Sequence, residues 1–301
     1  MKKSFYVYRC WYKRLIAYLF DTFGRLLFLP LKYFPHRRPN FQQIKRILVI
    51  RLDHLGDAVM TWPAIRALER MFPAAAIDFL VSQETVPLFR DSFRAGEVLA
   101  AKNHWFGKSI KGWDQLREAV SLCALLGRKR YELAIDFRGD LRNIILMFLA
   151  GIPLRLGFGI TGGGFLLTHQ GSYDHTQHRV ALCARLLQFC GQPFELKPEP
   201  FSYPEERKEE FRSRWGSVFA DNRRRLLIHP SASCASKQWP LERFRQLIEI
   251  LSRQALGQLI LIGTEADKEA FALEADGDKI VDMRGKTTLA DLPILMDQCE
   301  L

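Results

Sequence analysis

The stretch from Ile47 to Pro63 restricts the fold more than any other part of the chain. Ile47, Leu48, Val49 and Ile50 form an unbroken apolar run, which reads as a strand buried on both faces. A polar loop follows and ends in Gly56-Asp57. From Pro63 the sequence Pro-Ala-Ile-Arg-Ala-Leu-Glu-Arg-Met-Phe has the apolar spacing of an amphipathic helix. A carboxylate is thereby expected at the strand-to-helix turn, at the carboxyl end of a parallel strand. Open α/β sheets place ligands and chemistry there.

The same alternation recurs downstream. Strands are expected at Ala76–Val81 and Tyr131–Asp136, with a polar helix-prone stretch between them. Helices are expected at about Trp113–Arg128 and Leu141–Leu149. Residues 153–172, with Gly157, Gly159 and Gly162 to Gly164, read as two short strands joined by a mobile loop, and a helix follows over His178–Cys190. Residues 192–204 are proline-rich and charged, as interdomain linkers are. After a charged helix (Glu205–Ala220), strands at 225–229, 258–262 and 279–282 alternate with helices at 241–254, 267–275 and 289–298. The expected fold class is α/β, two Rossmann-like doubly wound domains. The expected divisions are a basic N-terminal extension (1–45), an N-terminal domain (46–191), a linker with a connecting helix (192–221) and a C-terminal domain (222–301). The last has only three strands and reads as incomplete.

Charge is distributed unevenly. Residues 1–46 hold eleven Lys or Arg against the single acid Asp21, whereas the remainder holds 33 basic and 32 acidic residues. A neutral body argues against nucleic acid as the main partner, because a basic reading face would be expected within the folded part. The leader mixes aromatics with cations, and an uncharged run such as Leu15–Phe20 is far short of the roughly 20 apolar residues of a membrane span. Interfacial binding to an anionic membrane surface is expected from it, with a helical extension packed on the body as the alternative. Six cysteines without a C-x-x-C pair read as reduced thiols of a cytosolic protein.

His229-Pro-Ser-Ala-Ser-Cys-Ala-Ser-Lys-Gln-Trp-Pro240 repeats the strand, small-residue loop, helix pattern. Ser231, Ala232 and Ser233 permit close backbone approach, the helix N-terminus offers amide donors, and Lys237 adds a cation. Together they suit a phosphate. Asp276-Gly277-Asp278 has the D-x-D form of a metal site, but it sits where turn residues are common. His175-Thr-Gln-His178 lacks a third ligand and straddles a helix start, so capping is expected of it. No metal site is expected.

The segment Asp53 to Leu68, taken with His229 to Ser233, Lys237-Gln-Trp-Pro240 and Ile262-Gly-Thr-Glu-Ala-Asp267, resembles glycosyltransferase family 9 from about Arg46 to Leu301. These are the heptosyltransferases that extend the lipopolysaccharide inner core from ADP-heptose. The resemblance implies a GT-B fold with two domains facing a cleft, the acceptor on the first and the nucleotide-sugar on the second. It implies Asp57 as catalytic base, with Asp53 as rival and a helix cap as the plain structural reading. Lys237 would contact the donor diphosphate, with Ser231 and Ser233 beside it. Asp267 takes the place of a ribose-binding glutamate, one methylene shorter, and Glu265 is its substitute. Thr287 and Thr288 match the segment lining the adenine pocket. Arg138 and Arg142 are candidates for an anionic, lipid-linked sugar acceptor. The donor is a substrate, so no cofactor is implied. The implied location is the cytoplasmic face of the inner membrane, peripherally bound. The family's next element, Asp-Ser/Thr-Gly-x-x-His, falls beyond Leu301, which implies weak or absent turnover for the chain as it stands. A non-catalytic nucleotide-binding module and a transferase using another nucleotide-sugar remain open alternatives.

Overall fold

The computed structural model describes residues 6–8, 10–28, 41–102, 112–191, 197–232, 234–254, 256–272 and 279–300. The chain divides into two compact units, Met1–Pro200 and Phe201–Leu301. In the first, helix α1 (Trp11–Leu27) precedes strand β1 (Arg46–Arg51), helices α2 (Leu55–Val59) and α3 (Trp62–Met71), and β2 (Ala76–Ser82). There follow α4 (Val86–Arg90), β3 (Val98–Ala101), α5 (Gly112–Lys129), β4 (Leu133–Asp136), α6 (Leu141–Leu149), β5 (Leu154–Gly157), β6 (His169–Gln170) and α7 (Arg179–Leu187). The second unit runs α8 (Glu205–Trp215), β7 (Arg225–Ile228), α9 (Leu241–Arg253), β8 (Gln258–Leu261), α10 (Glu265–Ala270), β9 (Ile280–Asp282) and α11 (Leu292–Met296).

All six strands of the first sheet are parallel, in the order β3-β2-β1-β4-β5-β6. This is the doubly wound order whose direction reverses between β1 and β4, the edge where such sheets bind ligands. Strand β1 is central, with Ile47 opposite Ile77 on one side and Leu133 on the other. Its alternating side chains feed two cores. Leu48 and Ile50 pack with Leu122, Leu126, Leu146 and Met147 of α5 and α6. Across the sheet, Phe79 meets Phe89 at 5.1 Å and Trp62 meets Phe89 at 5.7 Å between ring centroids. The continuous apolar run of β1 is therefore the pattern of a strand covered by helices on both faces.

Several sequence expectations change. Val98–Ala101, read within a helix-prone stretch, is the edge strand β3, pairing with β2 from Phe79↔Val98 to Ser82↔Ala101. Four small and aliphatic residues cannot signal an edge strand whose partner lies some twenty positions away. The polar loop ending in Gly56-Asp57 is instead the short helix α2, closed by Ala58 N donating to His54 O at 3.1 Å. The helix expected from Asp267 to Ala275 begins earlier, at Glu265, because Thr264 caps it.

The glycine loop after β5 is packed rather than mobile. Gly157, Gly159 and Gly162 to Gly164 are all buried, and helix α1 lies against them. Gly163 has φ 81°, and a Cβ there would meet Leu141 Cδ1 at 2.5 Å, so only glycine fits. Asp21, buried in α1, accepts from Gly163 N at 2.6 Å and from the Tyr6 hydroxyl at 2.8 Å. The Tyr8 hydroxyl donates to Thr161 O at 3.0 Å. Ala17, Asp21 and Gly24 form the buried stripe of α1, and a Cβ on Gly24 would lie 2.3 Å from Phe165. The bulky residues of the helix, including Trp11, Ile16 and Phe23, remain exposed. Among the described residues no helix is long and apolar enough to cross a membrane. Residues 1–5, 9 and 29–40 of the leader lie outside the described residues.

The second unit has a three-stranded parallel sheet, order β7-β8-β9, with Leu226 opposite Leu259 and Ile260 opposite Val281. One face packs Ile260, Ile262 and Met283 with Phe211, Ile294 and Leu295. The other packs Leu259 and Leu261 with Ile248 and Phe271.

Candidate active site

Asp57 sits in the first turn of α2, just past the carboxyl end of β1, beside the point where the strand order reverses. Its backbone carbonyl accepts from the buried Thr61 hydroxyl at 2.9 Å, which holds the turn. Arg51, the last residue of β1, has a side chain only 4% exposed and donates Nη2 to Asp57 Oδ1 at 2.9 Å. The same nitrogen reaches Asp53 Oδ2 at 3.4 Å, and Nη1 donates to Phe137 O at 2.5 Å. Arg179, opening α7, comes within 3.8 Å of Asp57 Oδ1. Both arginines address Oδ1 rather than Oδ2.

Asp53 is tied up differently. Its second oxygen receives Arg138 Nη1 at 2.8 Å, so the rival carboxylate is held between two guanidinium groups. Arg138 also donates to Leu52 O at 2.6 Å and lies 3.5 Å from Asp140. Asp140 in turn caps α6 by accepting from Arg142 N at 3.0 Å, and it pairs with the Arg142 guanidinium through Nε and Nη2. Burial would raise the Asp140 carboxyl, but the Arg142 contacts outweigh it and hold that carboxyl below the usual range. The result is an alternating row, Arg179, Asp57, Arg51, Asp53, Arg138, Asp140, Arg142, with four cations against three anions. Arg138 and Arg142 therefore present shared, partly neutralised charge rather than isolated cations.

Asp136, at the end of β4, shapes the loop that carries Arg138. It is fully buried and accepts from the amides of Arg138, Gly139 and Asp140 and from Asn143 Nδ2, at 2.9–3.1 Å. Burial pushes its carboxyl up to about 6, while the bonds from Asn143 and the amides pull the other way. Arg51, Asp136 and Arg179 were not legible as site residues. Arg51 ends an apolar strand, and Arg179 is more than a hundred residues from the carboxylate it approaches. His178, by contrast, caps α7 through Nδ1, which accepts from Val180 N at 3.3 Å.

In the second unit the expected donor residues that the structure describes lie beyond the carboxyl ends of adjacent parallel strands. Ser231 and Lys237 follow β7, Asp267 follows β8, and Thr287 and Thr288 follow β9. Ser231 Oγ is 3.1 Å from His229 Nε2, and its hydroxyl also reaches Asp267. Gly285 N donates to Gly263 O at 2.9 Å, joining the β8 and β9 loops. Lys237 ends a 3₁₀ turn (Ala235–Lys237) and is exposed. Among the described residues no carboxylate pairs with it. Helix α9 begins four residues later, after Pro240, without a side-chain cap on its first amides.

Asp267 and Thr288 are structurally committed. Asp267 Oδ2 accepts from Thr264 N at 2.6 Å and Thr264 Oγ1 at 2.7 Å, completing a capping box on α10. Burial would raise this carboxyl, but the Thr264 and Ser231 bonds hold it low. Glu265 is the exposed acid of that turn, and a Cβ on Gly285 would run into its carboxylate. Thr288 donates its amide and hydroxyl to Asp291 Oδ2, both at 2.8 Å, while Thr287 is half-buried beside it. Ser233 and Asp276-Gly277-Asp278 lie outside the described residues. Among the described residues no group of three His, Cys, Asp or Glu side chains is arranged around a common point.

Residues 119–301 match the model of glycosyltransferase family 9 (heptosyltransferase). The chain is 23% identical over 259 residues to lipopolysaccharide heptosyltransferase 3 of Escherichia coli, covering 82% of this chain and 72% of that protein. Among solved structures, a family 9 glycosyltransferase of Veillonella parvula superposes with TM-score 0.69 at 19% identity, covering 85% of this chain and 74% of the other. The Escherichia coli ADP-heptose lipopolysaccharide heptosyltransferase II gives TM-score 0.64 at 23% identity, over 85% and 77% of the two chains. Its α/β units share the GT-B fold of these structures, and the chain belongs to glycosyltransferase family 9, a family of glycosyl-transferring enzymes.

Proposed function

We propose that this protein transfers a heptose, or a closely related sugar, from an ADP-sugar to a lipopolysaccharide-core acceptor at the inner membrane's cytoplasmic face. The observation that carries the reading is the placement of Asp57 at the reversal point of the first sheet, with Arg51 and Arg179 on one carboxylate oxygen only. In this reading Oδ2 takes the proton of an acceptor hydroxyl as that oxygen bonds to the anomeric carbon. The bond from that carbon to the diphosphate breaks on the opposite face, and the electron pair leaves with ADP. Lys237 and the first amides of α9 stabilise the charge that develops there, with Ser231 in the preceding loop. Those groups supply the positive charge that a divalent ion would otherwise provide, so the reaction needs no metal. Ribose falls to Asp267 or Glu265, and adenine to the Thr287-Thr288 segment. The excess cation of the arginine row favours a phosphorylated acceptor, met by Arg138. Support for ADP-heptose and lipopolysaccharide as substrates comes from the names of the related proteins. The outward aromatics of α1, interleaved with exposed Lys13, Arg14 and Arg25, support docking on an anionic membrane surface.

Two substitutions test the assignment. Asp57→Asn is expected to lower transfer by roughly 10²–10⁴-fold, the usual worth of a general base, while titrating with ADP as the parent does. Lys237→Ala is expected to weaken ADP binding by roughly 10–100-fold, as for a lost charged hydrogen bond. Parental turnover by Asp57→Asn, or tighter competition by UDP than by ADP, overturns the reading in its base or its donor respectively.

A further inference from the structure

Helices α5 and α6 carry an apolar surface that the transfer reaction does not use. A groove of about 550 Å³ runs between them, floored by Cys123, Ile145 and Leu146 and flanked by Leu116, Val120 and Leu149. Arg142, in the first turn of α6, is the one charged residue on its described lining. Trp113, Leu116 and Val120 share one face of α5 at helical spacing. Trp113 is 77%, Val120 61% and Leu149 64% exposed. An exposed apolar cluster of this kind marks an interaction surface. It adjoins α1, because Phe28, just past that helix, meets Phe148 of α6 edge-on at 5.6 Å and Phe165 at 5.5 Å between ring centroids. Phe28, Phe148, Phe165 and Cys123 all pack on the same core.

We propose that the α5–α6 groove inserts into an anionic phospholipid leaflet and takes up an acyl chain, with Arg142 meeting the headgroup phosphate. An apolar slot ending in Arg142, the last member of a row of four cations against three anions, complements a chain that carries one anion at its end. A second copy of this protein complements it poorly, since each copy brings a leader with eleven basic residues and one acid. The proposal extends the membrane-surface reading of α1 but rests on different residues.

The test uses the full chain and vesicles of phosphatidylglycerol and phosphatidylcholine whose acyl chains are brominated, bromine being a contact quencher of tryptophan. Quenching is expected, with a component that disappears in Trp113→Phe. The double variant Leu116→Glu, Val120→Glu changes two exposed positions and is expected to bind these vesicles roughly tenfold more weakly. It should turn over a water-soluble, delipidated acceptor as the parent does. Ile16→Glu in α1 separates the two surfaces, because at saturating vesicle concentration it should leave the Trp113 component in place. Quenching unaffected by Trp113→Phe overturns the proposal, as does parental vesicle binding by the double variant. So does a lipid-free dimer that the double variant dissolves, since the groove then serves a second copy. A parent without turnover on any acceptor counts against the transferase reading alone, because the vesicle measurements do not depend on it.

Discussion

Replacing Arg51 by methionine removes the cation on which the proposed base is built. Arg51 spans Asp57, Asp53 and the Phe137 carbonyl from a buried position. Removing one partner of a buried ion pair costs about 3–5 kcal/mol. Here both carboxylates keep another arginine, Arg138 at 2.8 Å and Arg179 at 3.8 Å, and their side chains are 14% and 22% exposed. The expected loss is therefore smaller, about 2–3 kcal/mol. For a unit of this size that is a fall in Tm of about 4–12 °C. Without Arg51 the two carboxylates lose the cation that bridges them. Arg51→Lys keeps the charge, but one ammonium cannot bridge three acceptors, so it should recover only part of the stability. Transfer should fall by roughly 10²-fold in Arg51→Met, because the base loses its alignment. Differential scanning calorimetry at pH 7, with acceptor turnover, measures both effects. A variant melting within about 1 °C of the parent at pH 7, with unchanged turnover, would refute the claim that Arg51 organises the site.

Two further outcomes follow from the same geometry. In protein labelled with carbon-13 at aspartate carboxyls, one signal should titrate near pH 6 and vanish in Asp136→Asn. Because the folded value lies above the ordinary one, ionised Asp136 costs the fold about 3 kcal/mol above pH 6, and that cost is gone below about pH 4. Asp21→Ala deletes the acceptor of the Gly163 amide and the Tyr6 hydroxyl, at about 1.5–3 kcal/mol for each bond to a charged group. Limited proteolysis should then cut within residues 11–27 long before the rest of the chain. Equal protection of α1 in the variant would show that Asp21 does not hold it.

Local pattern and chemistry were enough for much of this protein. An apolar run with no polar interruption has few options besides a strand covered on both sides, and β1 is one. Leu141–Leu149 and Leu241–Arg253 carry helical spacing strong enough to resist context, and both are helices of nearly the expected extent. Repeated strand–loop–helix units with Gly56-Asp57 and Ser231 to Lys237 at the turns marked the edges that hold the candidate residues. Strand β3 was missed because an edge strand is selected by its neighbour rather than by its own four residues. Asp267 sits in the expected turn, yet its oxygen is committed to Thr264, a choice fixed by helix capping that spacing alone does not reveal.

Tertiary structure decided the electrostatics. Arg51, Asp53, Asp57, Arg138, Asp140, Arg142 and Arg179 come from three separate segments, and only the crossing order of the sheet puts them in one row. It also decided the leader. Composition announced a cationic, aromatic segment, but that its small residues face inward and its bulky ones outward follows from the space beside the glycine loop. A sequence carries the periodicity of each element because that is a property of neighbours three or four residues apart. It does not carry which distant charge will neutralise which, because that depends on where the backbone brings them together in space.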